Sequence, residues 1–106
     1  KLTGVFQPHL YSRTNDFYKD FAESLDLLDE VVLLDIYPAR ELPIEGVTSE
    51  LIFNQMQNKN KIMCSKMELK NVASGFKPGI VIMMGAGDID TLVGQVKEQL
   101  LKYEDC

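Results

Sequence analysis

Four short apolar runs, each followed by a stretch with helical periodicity, constrain this chain more than any other feature of it. Leu2-Thr-Gly-Val-Phe6 stops at Gln7-Pro8, and its β-branched and aromatic residues suit a strand buried on both faces. From Asn15 onward Phe17, Phe21 and Leu25 recur at helical spacing, with Tyr18, Ala22 and Leu28 beside them and Lys19, Asp20 and Glu23 opposite. That spacing predicts an amphipathic helix capped by Thr14 or Asn15. Behind the turn-prone Leu28-Asp29-Glu30, the continuous run to Leu34 reads as a central parallel strand.

Ile36 to Val47 carries Pro38, Pro43 and Gly46 and reads as a loop, after which Thr48-Ser49-Glu50 opens a second helix facing inward with Leu51, Ile52 and Met56. Ile62-Met-Cys64 suits a short third strand. In Ser65-Lys-Met-Glu68 the serine and glutamate side chains can satisfy each other's backbone amides, which starts a third helix ending near Gly75. Lys77-Pro-Gly79 turns the chain into Ile80-Val-Ile-Met-Met84, the clearest buried strand, and Gly85-Ala-Gly87 leads into a last helix with Ile89, Leu92, Val93, Val96, Leu100 and Tyr103 inward. Strands alternating with helices predict right-handed crossovers and a parallel sheet covered on both faces, a three-layer α/β fold. No repeat or linker interrupts it, and 106 residues of 45% hydrophobic and 25% charged composition suit one domain.

Composition narrows the partners. Sixteen acidic against 11 basic residues give a net charge of -5, which repels a phosphate backbone, so no nucleic-acid partner is expected. Ile80 to Met84 is too short to cross a bilayer and no signal peptide opens the chain, so no membrane partner is expected either. Cys64 and Cys106 do not make a disulfide framework, which fits the cytoplasm. Lys1 leads straight into an apolar run, suggesting a piece of a longer protein.

Ligands of open parallel sheets collect at the carboxyl ends of the strands. Here those ends are the loops Gln7 to Thr14, Asp35 to Gly46, Cys64-Ser65 and Gly85 to Asp88. The first holds the only histidine, His9, with Tyr11 and Arg13. An arginine there can grip a carboxylate through paired hydrogen bonds, and a neutral imidazole can orient an amine or take its proton. The competing reading is an ordinary surface histidine and arginine. No second histidine suggests a metal site, and no serine or cysteine stands at triad spacing, so neither metal ligands nor catalytic residues are assigned. Gly85-Ala-Gly-Asp88 could approach a phosphate, but the dinucleotide fingerprint is incomplete and Asp88 repels anions; a tight turn with Asp88 as helix cap is favoured. No cofactor-binding residue is assigned. Asp35 to Glu41 could shape a pocket or dock a neighbouring domain, with a solvated loop as the default.

Taken in order, Phe6-Gln-Pro-His-Leu-Tyr-Ser-Arg-Thr14, Val32-Leu-Leu-Asp-Ile-Tyr-Pro-Ala-Arg-Glu41 and Gly85-Ala-Gly-Asp-Ile89 resemble the C-terminal domain of the Mur ligases over essentially the whole chain. The first motif resembles that of the members that add L-alanine to UDP-N-acetylmuramate in peptidoglycan precursor synthesis. The resemblance implies a Rossmann-like domain that closes over the active site. It also implies that residues 1–106 are most of the third domain, with the domain's first strand and an Asp-Tyr-Gly-His-His-Pro-type segment upstream of Lys1. In that family ATP and Mg2+ activate the muramate carboxylate as an acyl phosphate, which the alanine amine attacks. The nucleotide loop belongs to the central domain and the UDP-sugar site mainly to the first. ATP and Mg2+ are therefore expected to bind mainly outside this chain, the other two domains are its expected partners, and alone it is expected to be inactive.

His9 and Arg13 match a histidine and arginine that the family associates with amino-acid binding, and Tyr11 between them completes the substrate-binding candidates. Leu10 departs from the arginine of many members, while Ser12 keeps the hydroxyl of the usual threonine. The resemblance lends no catalytic role to Gly85–Asp88 or Tyr37–Glu41. The alternative is a non-enzymatic flavodoxin-like or receiver-like binding module; a receiver needs aspartates clustered at the end of the first strand, and the His9 loop has none.

Overall fold

The structure, a computed structural model, describes residues 2–75, 79–85, 94 and 96–98. The described elements run β1 (Leu2–Gln7), α1 (Tyr11–Leu25), β2 (Glu30–Leu34), α2 (Glu50–Gln55), β3 (Lys61–Cys64), α3 (Leu69–Ala73) and β4 (Ile80–Gly85). The strands form one four-stranded sheet in the order β3-β2-β1-β4, and every pairing is parallel. Val5 stands beside Val32 on one side and Met83 on the other.

Alternation along β2 explains its uninterrupted apolar sequence. Val31 and Leu33 point to one face and pack with Ala22 and Leu25 of α1 and with Ile52 and Met56 at α2. Val32 and Leu34 point to the other and pack with Val5, Cys64, Leu69, Ala73 and Val96. Val31 to Leu34 are all completely buried, and each such burial contributes roughly 1.5–3 kcal/mol. Helices therefore cover both faces, giving the three-layer, Rossmann-like α/β fold that the alternation predicts.

Local signals are realised unevenly. At the start of α3, the Ser65 amide donates to Glu68 Oε1 at 3.0 Å and the Glu68 amide to Ser65 Oγ at 3.3 Å, the reciprocal pair expected there. At α2 the Glu50 amide bonds Thr48 Oγ1 at 3.1 Å, while the Ser49 hydroxyl donates to the Leu34 carbonyl at 2.5 Å and ties the helix to the end of β2.

Helix α1 begins at Tyr11, four residues before the sequence-based start. Thr14 lies inside its first turn with its hydroxyl on the Leu10 carbonyl at 2.9 Å, so neither it nor Asn15 is the cap. Phe17 remains 49% exposed and meets Phe21 only edge-on.

Strand β4 is also less buried than its sequence suggests, with Ile80 63% and Ile82 37% exposed. The continuous apolar run predicts a fully buried strand. Among the described residues, however, β4 is an edge strand, with β1 beside it and the face of Ile80 and Ile82 incompletely covered. The expected last helix and the segment after Gly85 lie outside the described residues, apart from Gly94, Val96, Lys97 and Glu98, which are helical. No described helix is long and apolar enough to cross a membrane.

Candidate functional site

The chain leaves β1 for β2 and β3, then returns to β4 on the opposite side of β1. The carboxyl end of β1 is thus the point where connections diverge, the usual place for a ligand crevice in such sheets. A cavity of about 170 Å³ lies there, lined by Phe6, Gln7, His9, Arg13, Phe21 and Gly85. It is smaller than the roughly 300–1,000 Å³ pockets that take drug-sized ligands and suits a single small molecule.

Pro8 has no amide to donate, yet its carbonyl accepts the Tyr37 amide at 2.8 Å, and the Leu10 amide donates to the Tyr37 carbonyl at 2.9 Å. These bonds carry a parallel bridge between His9 and Tyr37 beyond the ends of β1 and β2. The His9 ring is half-buried and stacks on the Tyr37 ring, with centroids 5.8 Å apart and planes inclined by 19°. Leu10 then turns the chain sharply at φ 70°, a conformation that costs a non-glycine residue about 1–3 kcal/mol.

The first turn of α1 separates the candidates. Tyr11 and Arg13, two positions apart on a helix, project to different sides. Arg13 lines the His9 cavity, whereas Tyr11 lines a separate cavity of about 200 Å³ with Asp35, Ile36, Thr48 and Ser49. The structure therefore brings His9 and Arg13 together and places Tyr11 apart from them. Arg13 is exposed, and among the described residues no ion pair engages its guanidinium.

Between them sits a residue to which the sequence assigned no role. The Ser12 amide donates to Glu41 Oε1 at 3.1 Å and the Ser12 hydroxyl to Glu41 Oε2 at 2.5 Å. The Ser12 hydroxyl first, and its amide second, hold the Glu41 carboxyl below the ordinary glutamate value. This carboxylate occupies the positive end of α1, where a ligand's acid group would otherwise find free amides. Arg13 is the cationic side chain lining the neighbouring cavity. Ser12 and Glu41 are 29 positions apart, so no local pattern announces their contact. Among the described residues no group of three His, Cys, Asp or Glu could hold a metal ion.

Fold and site together define a Rossmann-like α/β domain with a small, arginine-bearing cavity at its switch point. No protein-family model matches the chain. It is 60% identical over 100 residues to the UDP-N-acetylmuramate–L-alanine ligase of Porphyromonas gingivalis, covering 93% of this chain and 22% of that protein. The ligase of the same name from Parabacteroides distasonis is 58% identical over 102 residues, covering 96% of this chain and 22% of that protein. The one from Phocaeicola vulgatus is 60% identical over 97 residues, covering 91% and 21%. The chain is thus similar to the C-terminal region of UDP-N-acetylmuramate–L-alanine ligases and spans about a fifth of the length of the curated relatives it matches.

Proposed function

We propose that this chain is the amino-acid-binding part of an ATP-dependent ligase that joins L-alanine to UDP-N-acetylmuramate in the cytoplasm. In this reading it forms most of the enzyme's third domain and works with the other two, which hold the nucleotide and the UDP-sugar. The observation that carries the proposal is that His9 and Arg13 share one small cavity at the switch point, with the guanidinium outside any ion pair among the described residues.

Arg13 binds the alanine carboxylate through charge-assisted hydrogen bonds, because Glu41 has closed the helix end to anions. His9, braced on Tyr37, guides the amine and takes its proton as the amine becomes nucleophilic. Phe6 and Phe21 offer an apolar wall to the methyl group and displace water. ATP and Mg2+, held outside these residues, supply activation of the muramate carboxylate. Fixing the amino acid in this way can remove up to about 7–11 kcal/mol from a bimolecular barrier.

The test is Arg13→Ala in the intact ligase. A hydrogen-bonded charged contact is worth roughly 1.5–3 kcal/mol, so the alanine KM should rise about 10- to 100-fold while the ATP KM stays within about twofold. An unchanged alanine KM would reject the site. The same assay with glycine and serine shows whether Leu10, in place of the family's arginine, alters amino-acid preference.

A further inference from the structure

We propose that Glu41 is a positioning residue for the amino-acid site, holding the 37–41 loop as a clip on the start of α1 that sets where His9 and Arg13 stand. The proposal rests on the cavity beside His9 and Arg13 being the amino-acid site.

Both ends of this loop are fastened to the chain segment that carries the site. At one end Tyr37 exchanges backbone hydrogen bonds with Pro8 and Leu10, on either side of His9, and its ring lies against the imidazole. At the other, both Glu41 oxygens hold Ser12, the residue immediately before Arg13. Between these ends the Glu41 amide donates to the Pro38 carbonyl at 2.9 Å, closing a tight turn in which Ala39 adopts a positive φ of 52°. Pro38 and this turn leave the loop little freedom to change length, so Tyr37 and Glu41 act as two fixed points. They grip residues 8, 10 and 12, which flank His9 and precede Arg13.

The clip also bears on Leu10. Its positive φ persists only where the surroundings hold it, and the bonds to Tyr37 on one side and Glu41 on the other supply that hold. Releasing Glu41 would let the turn at Leu10 relax and carry the first turn of α1, with Arg13, away from the cavity. It would also uncover amides at the helix end that compete with Arg13 for the alanine carboxylate. Glu41 touches neither substrate nor reacting atoms; its effect passes through Ser12 and the loop.

The intact ligase tests this with Glu41→Gln, Ser12→Ala and the double variant, each assayed for kcat and for the KM of all three substrates, with thermal unfolding measured in parallel. A displacement of about 1 Å can cost roughly a hundredfold in a positioned reaction, so each single variant should raise the alanine KM by about tenfold or more. The ATP and UDP-N-acetylmuramate KM values should stay within about twofold, and the double variant should be no worse than the poorer single one. Should Glu41→Gln fail to fold, Ser12→Ala, which removes only a hydroxyl, carries the test. An alanine KM within twofold of the parent in folded variants overturns the proposal, as does a parallel rise in all three KM values, which would mark a merely structural role. If Arg13→Ala raises the alanine KM and the clip variants do not, the clip alone is wrong. If neither does, the site assignment falls with it.

Discussion

Ser12 and Glu41 meet at the first turn of α1 through two hydrogen bonds, so the helix end that faces the ligand crevice is already closed by the protein's own carboxylate. In many α/β domains that helix end binds the anion. In the function proposed above, recognition of the acid group falls instead to the Arg13 guanidinium, which lines the cavity with His9.

Gly85 also lines this cavity. A Cβ there would stand 2.7 Å from the Gln7 backbone oxygen, and its φ of +148° disfavours other residues. Because the obstruction is backbone, it cannot move aside without opening the β1–β4 pairing. Gly85→Ala should cost about 1–3 kcal/mol in denaturant titration and raise the alanine KM as the cavity rim shifts. Unchanged stability and KM together would show that the two strands separate there without penalty.

The contrast between what the sequence reveals and what it hides follows from distance along the chain. Val31 to Leu34 announces itself because burial on both faces needs a continuous apolar run, and Ser65 with Glu68 because the cap is completed within one turn. His9 and Arg13 are legible as chemistry in one short segment. The true start of α1 is not, since its cap comes from Glu41, beyond an entire helix and strand. Likewise β4 reads as buried because its apolar run is continuous, yet nothing in the local sequence tells how completely other elements cover the face of Ile80 and Ile82. Tyr11 sits in the same motif as His9 and Arg13, but helical geometry sends it to the other cavity.

Lys61 fastens the far end of α2. Its ammonium donates to the Phe53 carbonyl at 2.7 Å and the Met56 carbonyl at 2.8 Å, and lies 4.5 Å from the centre of the Phe53 ring. A cation on carbonyls at a helix C-terminus is favourable, so Lys61→Met should lower stability by about 1–2 kcal/mol, read from the urea midpoint. Lys61→Arg should recover part of the loss. A midpoint that does not move would mean that water replaces the ammonium at no cost.

Cys64 is a buried free thiol whose pKa is pushed from 9.0 up to about 11, chiefly by burial and then by Glu68 and Asp35. A raised value favours the neutral thiol in the folded state. The associated stabilisation is complete below pH 9 and disappears as pH climbs towards about 11. At pH 8 the native protein should resist alkylation at Cys64 while the denatured chain reacts readily, as followed by mass spectrometry of the Cys64 peptide. Equal rates in the two states would contradict this placement.

The most direct measurement is a crystal structure of the intact ligase in its closed form with L-alanine, UDP-N-acetylmuramate and an unreactive ATP analogue. The Arg13 guanidinium should lie about 2.7–2.9 Å from the alanine carboxylate, with Glu41 still seated on Ser12. Alanine held elsewhere, or Arg13 turned away into a structural ion pair, would contradict the assignment.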